Sequence, residues 1–315
     1  MDLKQLEYIV AIADYGNISR AAEALYISQS GLNQQLIKLE KQLGIQLFYR
    51  NKHYLRMTQA GEVYVKNARE ILHIRKNTYA ELDDLKGTIV GEIALGLTHE
   101  HGIDLFTAIF DDFNDHYPGV TFNLLEKIVA DQNTLLISGN LDFGIVMLGK
   151  KDRIDLEYIE LFTEPLVLGI PLNHPLAGRA AKQGEPLSTI DLNLFRDDKF
   201  SLIFSSSTMR KVIDPAFKLA GFKPKILMET AMNHAITQLV SRGFCCTILP
   251  QSRAYSSLYS KNCAWFQLSP QLSWDVCVAY RQDMHFNAAH RYFIYLAKRY
   301  GSNLETKLAK NLFLV

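Results

Sequence analysis

The 315-residue chain contains few of the residues that mark several common classes of protein. It has four cysteines, nine prolines and 18 glycines, while hydrophobic residues make up 48%. The scarcity of proline and glycine excludes collagen-like and low-complexity chains, and the apolar content excludes an intrinsically disordered one. Cys245, Cys246, Cys263 and Cys277 are too few and too closely spaced for the disulfide framework of a secreted protein, so buried structural thiols are expected.

Long hydrophobic runs are absent as well. No stretch approaches the ~20 apolar residues that a membrane span needs, and the first eight residues mix charged with apolar side chains, unlike a signal peptide. At roughly 100–200 residues per domain, the length favours two or more domains. We therefore expect a cytoplasmic protein of several domains.

The net charge of +1, from 34 basic and 33 acidic residues, is unevenly distributed along the chain. Residues 1–76 contain 11 basic and seven acidic residues, and five of these bases but only one acid lie between Leu32 and Arg56. The remainder of the chain is acidic by three. A basic segment joined to a more acidic one suggests that the N-terminal part contacts nucleic acid.

Hydrophobic periodicity predicts three short helices in this basic segment. The first runs from Leu3 to about Gly16, Asn17 is suited to cap the second, and Ser28 is suited to cap a third that ends at Gly44. Two short helices, a tight turn and a third helix with a polar outer face form a helix-turn-helix. Periodicity alone also fits a small solvated helical bundle.

The outer face of the third helix has the chemistry of a DNA-reading surface. Amides can pair with adenine edges and lysines with phosphate or guanine. Residues 45–58 add two short strands around a basic turn, which would form a wing beside the helix. We predict base readout by Gln29, Ser30, Asn33 and Gln34, and phosphate contacts by Lys38, Arg50, Lys52 and Arg56.

A series of short motifs covers the same segment: Ala21-Ala22-x-x-Leu25, Ser28-Gln29, Leu32-x-x-Gln35, Leu39-Glu40-x-x-Leu43-Gly44, Leu47-Phe48-x-Arg50 and Thr58-x-Ala60-Gly61. Together they resemble the winged helix-turn-helix of LysR-type transcriptional regulators. The chain departs from that pattern at Ser30-Gly31, where the family has Pro and Ala, and at Gln34, where a basic or hydroxyl residue is common. The resemblance implies binding to double-stranded promoter or operator DNA but leaves the operator sequence and the direction of regulation open.

A long helix is predicted from Gln59 to about Lys86, with a stripe at alternating spacings of four and three: Tyr64, Ala68, Ile71, Arg75, Thr78, Leu82 and Leu85. This spacing is typical of a coiled-coil seam, although a stripe packed on its own domain would look the same. The family resemblance implies a linker helix that pairs two DNA-binding domains, giving a homodimer and by resemblance usually a homotetramer.

From residue 88 the pattern changes to alternating strands and helices in two halves, which predicts two doubly wound α/β lobes with a cleft between them. One helix is expected to bury Ile103, Phe106, Phe110 and Phe113. Landmarks such as Asn173-His174-Pro175-Leu176 extend the resemblance to the periplasmic-binding-protein-like effector domain of the family. The predicted domains are a winged helix-turn-helix (1–58), a linker helix (59–87), a first effector subdomain (88–164 and 266–300), a second (165–265), and a C-terminal extension without assigned role (301–315).

Ligands of open α/β sheets bind beyond the carboxyl ends of strands, near helix N-termini. Three segments and one strand end qualify, and they supply the predicted effector-binding residues: Thr98, His99, Glu100, His101, Met147, Ser205, Ser206, Ser207, Thr208, Met232 and Asn233. The first segment resembles a Thr-His-Thr-Gln stretch with which sulfur-metabolism members of the family bind small anions. Glu100 disfavours sulfate, and Met147 stands where members that bind aromatic diacids have Arg. We therefore expect a small polar metabolite, amine-bearing or zwitterionic.

No signature of catalysis or of a cofactor accompanies these segments. His99, Glu100 and His101 could begin a metal site, but no further ligands follow at a recognisable spacing, and no metal or cofactor is expected. The motifs HExxH, GxSxG, GKS/T and GxGxxG are absent. The leading prediction is a DNA-binding transcriptional regulator, not an enzyme, controlled by a small co-inducer, with RNA polymerase as a further candidate partner. The alternative is a metabolite receptor or enzyme that uses the lobes without binding DNA.

Overall fold

The computed structural model describes residues 2–50, 55–86, 89–182, 185–256 and 258–309. The chain divides into two compact units, Met1–Thr88 and Ile89–Val315. None of the helices in the described ranges has both the length and the apolar character that crossing a bilayer requires.

The N-terminal unit consists of α1 (Leu3–Tyr15), α2 (Ile18–Ala24), α3 (Gln29–Leu43), β1 (Phe48–Arg50), β2 (Leu55–Met57) and α4 (Gln59–Lys86). The predicted helix ends are confirmed by their capping contacts. Asn17 accepts the backbone N–H groups of Ser19 and Arg20, and Ser28 accepts that of Gly31. The two short strands pair in antiparallel register and form the predicted wing.

Two polar residues attach the wing to the helices. Glu40, which is buried in α3, accepts the backbone N–H groups of Leu47 and Phe48 at 2.8 and 3.2 Å. Thr58 caps α4 by accepting the N–H of Gly61 at 3.0 Å. A Cβ atom at Gly61 would lie 2.0 Å from the carbonyl oxygen of Leu47, so only glycine allows α4 to approach the wing this closely. The motif residues of this segment therefore hold the wing in place.

Helix α4 packs against its own unit along the first half of the predicted coiled-coil seam. Ala68 is buried, Ile71 packs on the core that includes α1, and Arg75 bonds to Glu7 of α1 at 2.7 Å. This part of the seam is a core stripe, because α1 covers it. Further along the helix Leu82 is 45% exposed, and the side chain of Leu85 lies outside the described residues.

The C-terminal unit contains nine strands in the described ranges: β3 (Gly91–Leu97), β4 (Val120–Glu126), β5 (Phe143–Leu148), β6 (Glu157–Pro171), β7 (Thr189–Ile190), β8 (Lys199–Leu202), β9 (Lys225–Glu229), β10 (Thr247–Pro250) and β11 (Cys263–Tyr280). Its α-helices are α5 (His101–His116), α6 (Val129–Ile137), α7 (Thr208–Leu219), α8 (Asn233–Ser241), α9 (Gln251–Ser256) and α10 (Ala288–Ala309).

The two longest strands connect two lobes. The sheet order is β10-β6-β11-β5-β3-β4, with β7 added to β11, while β8 pairs with β9 and makes a single bridge to the β10 side. We call the part around β3, β4 and β5 the first lobe and the part around β8, β9 and β10 the second lobe. Strands β6 and β11 run antiparallel through both lobes, and Glu164 and Trp274 are paired near the crossing point. The two-lobed α/β prediction is confirmed, in a sheet that mixes parallel and antiparallel pairs.

One predicted helix face was wrong by a small rotation. In α5 the buried residues are Leu105, Ile109 and Phe113, whereas Ile103 and Phe110 are 37% and 38% exposed. Both stripes are apolar and they overlap at Phe113, so only packing on the sheet selects between them.

The C-terminal residues also differ from expectation. Residues 301–309, which the sequence left without a role, continue α10 and bury Leu304 and Leu308. A Cβ atom at Gly301 would lie 2.7 Å from the carbonyl oxygen of Leu161, so α10 crosses β6 in close contact. Part of the predicted extension therefore completes the core of this unit.

Candidate functional site

The predicted DNA-reading residues of α3 form one solvent-facing surface. Gln29, Ser30, Gln34 and Lys38 are exposed, and Asn33 is half-buried at its edge. At 1.5 Å per residue, the 15 residues of α3 span about 22 Å, a rod that the major groove of B-DNA accommodates. The opposite face buries Leu32, Leu36 and Leu39, which orients the polar face outward.

The wing residues are only partly described. Arg56 is exposed on β2. Arg50 belongs to β1, but its side chain and all of Lys52 lie outside the described residues. The structure therefore describes the side chains of six of the eight residues predicted to contact DNA.

A cavity of about 380 Å³ lies between the two lobes of the C-terminal unit. Eight of the predicted effector residues line it: Thr98, His99, His101, Met147, Ser206, Ser207, Thr208 and Asn233. They meet there because β3, β5 and the loops that begin α5, α7 and α8 end at the same cleft. Three predicted residues, Glu100, Ser205 and Met232, are not part of the wall.

Several wall residues were missed by the sequence reasoning: Glu126, Lys127, Ile128, Val129, Ala130, Asn133, Asp152, Ile154, Ile203, Phe204, Met209, Lys211, Ala231, Pro250 and Trp274. Residues 126–130 lie at and just beyond the carboxyl end of β4, which is parallel to β3, so the rule applied to β3 could have found them. Trp274 lies in the middle of a long strand and carries no local signal.

Glu100, one of the predicted effector-binding residues, joins the two lobes. Its carboxylate accepts the backbone N–H of Asn233 at 3.2 Å and the side-chain Nδ2 of Asn233 at 2.8 Å. A carboxylate is favoured at this place because the first N–H groups of a helix lack partners and carry partial positive charge. Lys211 and Asp152 make a second contact between the lobes, at 3.5 Å.

A fully buried carboxylate, Glu164, bonds to two residues of the cavity wall, His101 and Trp274. It is 3.0 Å from Nε2 of His101, and it accepts hydrogen bonds of 3.0 Å from the backbone N–H of Ser252 and from Nε1 of Trp274. Burial by itself raises the pKa of Glu164, but the charge of His101 and these hydrogen bonds outweigh it and lower the pKa to about 2. His101 and Trp274 also line the cavity, so a bound molecule would contact residues that bond to this carboxylate.

The cysteines and the candidate metal ligands have structural explanations. In the described chain, His174, Asp198 and Cys246 bring metal-ligating atoms together. However, Nδ1 of His174 accepts the N–H of Leu176 at 3.1 Å, so the neutral ring carries its proton on Nε2, which faces Asp198 and has no lone pair to offer. All four cysteines are free and buried, and burial raises the pKa of each thiol, which disfavours the reactive thiolate.

A winged helix-turn-helix and a two-lobed α/β unit with a central cavity, combined in one chain, define a DNA-binding protein with an effector-binding domain. Residues 3–62 match the family model of the bacterial regulatory helix-turn-helix protein, lysR family, and residues 86–301 match the LysR substrate binding domain. The chain therefore belongs to the LysR family of transcriptional regulators. The members of this family are regulators and not enzymes, so the alternative of an enzyme or a receptor without DNA binding is set aside.

A curated relative supports this assignment, and solved structures share the fold. The chain is 31% identical over 254 residues to the Hca operon transcriptional activator HcaR of Escherichia coli strain K12, covering 79% of this chain and 82% of HcaR. Full-length OxyR from Pseudomonas aeruginosa has a TM-score of 0.70 at 24% identity, covering 95% of this chain and 97% of OxyR. Full-length CbnR complexed with its target DNA has a TM-score of 0.55 at 22% identity, covering 95% and 99%.

Proposed function

We propose that this regulator reads promoter DNA with the exposed face of α3 and responds to a small molecule in the cavity between its lobes. The observation that carries the proposal is that the predicted residues meet at two places, one polar helix face and one cavity wall. The protein would act in the cytoplasm, where RNA polymerase is a candidate partner at the promoters it binds.

The proposed base contacts are those of Gln29, Ser30, Asn33 and Gln34, and the proposed phosphate contacts are those of Lys38, Arg56, Arg50 and Lys52. Amide side chains specify bases through paired hydrogen bonds, whereas lysine and arginine neutralise phosphates and release counterions. The two groups should therefore respond differently to salt.

The proposal is tested by measuring the affinity of full-length protein for its own upstream DNA as a function of salt. Lys38→Ala should weaken binding to all sequences and reduce the slope of log K against log salt by about 1, because one phosphate contact is lost. Gln34→Ala should keep the slope and relax the preference at one base pair by about 1–3 kcal/mol. Lys66→Ala, an exposed lysine of α4 outside this surface, serves as the control. A slope near zero for the unsubstituted protein would contradict DNA binding by this surface.

We further propose that two copies pair through the part of α4 that extends beyond α1. Leu82 continues the stripe that α1 covers earlier in the helix, and both it and Tyr79 are exposed. Exposed apolar residues at such spacing are typical of a helix that pairs with another copy.

A further inference from the structure

Three residues of the cavity wall have a buried acceptor oxygen for which the described residues provide no hydrogen-bond partner. These are Asn233, which is 8% exposed, through Oδ1, Asp152 through Oδ2 and Asn133 through Oδ1. Asn233 belongs to the second lobe, and Asp152 and Asn133 belong to the first. A buried acceptor without a partner is costly, since it has lost its water and gained nothing in return. A ligand with hydrogen-bond donors could satisfy such atoms.

The orientation of the Asn233 amide is fixed by its neighbour. Glu100 receives the backbone N–H of Asn233 on Oε1 and its side-chain amide on Oε2. A carboxylate can only accept hydrogen bonds, so the end of the amide that faces Glu100 must be the nitrogen. The unpartnered end is therefore the oxygen, so Asn233 has a free acceptor in the wall of the cavity.

Glu100 makes this contact from an unusual backbone conformation. Its φ is +66° and its ψ is −69°, a combination that a residue with a Cβ rarely adopts. Such a conformation persists only where the surroundings hold it. The carboxylate also occupies the N-terminus of α8, which would otherwise attract an anion. This end of the cavity is thus negative, although a helix begins there.

The charges of the wall and of its hydrogen-bonded neighbours also favour a cationic ligand. The carboxylates of the wall and of its bonded neighbours are Glu126, Asp152, Glu100 and Glu164. Two lysines, Lys127 and Lys211, belong to the wall, Arg210 donates to the carbonyl oxygen of the wall residue Ile203, and the two histidines of the wall are each paired with one of these carboxylates. With the histidines neutral, the four carboxylates exceed the three cations.

We propose that the effector carries a protonated amine that donates to Oδ1 of Asn233, with Asp152 supplying negative charge from the opposite lobe. Glu100 is then a positioning residue that sets the polarity of Asn233 without touching the effector. The inference rests on the proposed function, in that it takes the cavity between the lobes as the effector site.

The substitution Glu100→Gln isolates the positioning role. Glutamine has nearly the same shape, but it can accept from only one of the two Asn233 donors and presents its own NH₂ group to the other. If glutamine accepts the backbone N–H, the Asn233 amide must turn over to face that NH₂ group with its oxygen. The cavity then meets a donor where it had an acceptor, so the preferred charge of the ligand should change.

Binding is measured by calorimetry on the full-length protein with three probes that share one ring: benzylammonium, benzyl alcohol and phenylacetate. The unsubstituted protein should bind benzylammonium about tenfold more tightly than phenylacetate, the effect of one hydrogen bond to a charged group. Glu100→Gln should reduce that ratio by about tenfold or invert it. Glu157→Gln, the same change at an exposed position of β6 outside the wall, should leave the ratio unchanged.

Asn233→Ala provides a second test that does not depend on the amide turning over. It should weaken benzylammonium by about tenfold and leave phenylacetate nearly unaffected. The proposal is overturned if phenylacetate binds the unsubstituted protein as tightly as benzylammonium, if Glu100→Gln leaves the ratio as it was, or if no probe binds at millimolar concentration.

A cavity-filling substitution separates this inference from the proposed function. Ala130→Trp places an indole in the cavity from an exposed position of α6. Phenylacetate binding that is as tight as that of benzylammonium and that Ala130→Trp abolishes would leave the effector cavity in place while overturning the ammonium subsite. Benzylammonium binding that persists in Ala130→Trp would place the probe elsewhere and overturn both.

Discussion

The two units of this regulator build their functional surfaces in different ways. The proposed DNA-reading face comes from one helix and the neighbouring wing, within residues 29–56. The cavity draws its wall from residues as distant in sequence as Thr98 and Trp274. Substitutions on the DNA face should therefore change binding with little effect on stability, whereas those near the cavity should affect binding, lobe position and stability together.

The largest effect is expected where the two lobes meet. Glu164→Ala removes a fully buried carboxylate and leaves His101, Ser252 N–H and Trp274 Nε1 without their acceptor. Breaking a buried, hydrogen-bonded pair costs about 3–5 kcal/mol in the free energy of unfolding. Urea unfolding followed by tryptophan fluorescence measures this, because both tryptophans of the chain, Trp265 and Trp274, belong to the C-terminal unit.

The matched control is Glu160→Ala, four residues earlier on β6. Glu160 pairs with Arg153 at 2.6 Å, but its side chain is 47% exposed, so solvent screens the interaction. Equal losses of stability from the two substitutions would contradict a special role for the buried carboxylate.

A related effect should appear on acidification. Because the pKa of Glu164 is lowered to about 2 in the folded state, its ionisation stabilises the fold fully above the ordinary carboxyl pKa of 4.5. That contribution, about 3 kcal/mol, is lost as the pH falls from 4.5 towards 2. Glu164→Gln should therefore flatten the pH dependence of unfolding in this window, as measured by the same fluorescence signal. A profile with unchanged steepness would argue against the lowered pKa.

In the N-terminal unit, substitution should cost most stability where the backbones of α4 and the wing are in close contact. Gly61→Ala places a Cβ atom 2.0 Å from the carbonyl oxygen of Leu47, so α4 or the wing must shift, at a cost of about 2–3 kcal/mol. DNA affinity should fall, while binding of small probes to the other unit is retained. Gly178→Ala is the control, since no atom lies within 4 Å of the added Cβ. Loss of probe binding together with DNA binding would show that the two units are not independent.

The smallest effect is expected on the exposed part of α4. Leu82→Lys should weaken self-association by about tenfold or more, because it places a charge in the proposed pairing face. Sedimentation equilibrium of the full-length protein measures the change, and Leu82→Met, which keeps the position apolar, is the control. An unchanged association constant in Leu82→Lys would show that the copies do not pair through this face of α4.

The predictions from sequence succeeded where the controlling interactions are local. Asn17 and Ser28 fix helix ends through contacts within a few residues, Gly44 ends α3 in the left-handed conformation, and the alternation of strands and helices indicated the α/β class. The α5 face, by contrast, depended on which of two apolar stripes meets the sheet. The predicted coiled-coil seam of α4 is partly a core stripe. The sequence could not show this, because the same spacing fits packing against α1 and packing against a second copy.

By itself, the sequence determined the winged helix-turn-helix, the long helix, the two lobes and most of the segments that line the cavity. It did so because these features follow from periodicity, capping, the order and spacing of the N-terminal motifs, and the ends of parallel strands. Only the tertiary structure decided that Glu100 bonds to Asn233 across the lobes and that Glu164 accepts from His101, Ser252 and Trp274. Those contacts join residues far apart in the chain, and the polarity of a buried site depends on which partners folding brings within hydrogen-bond distance.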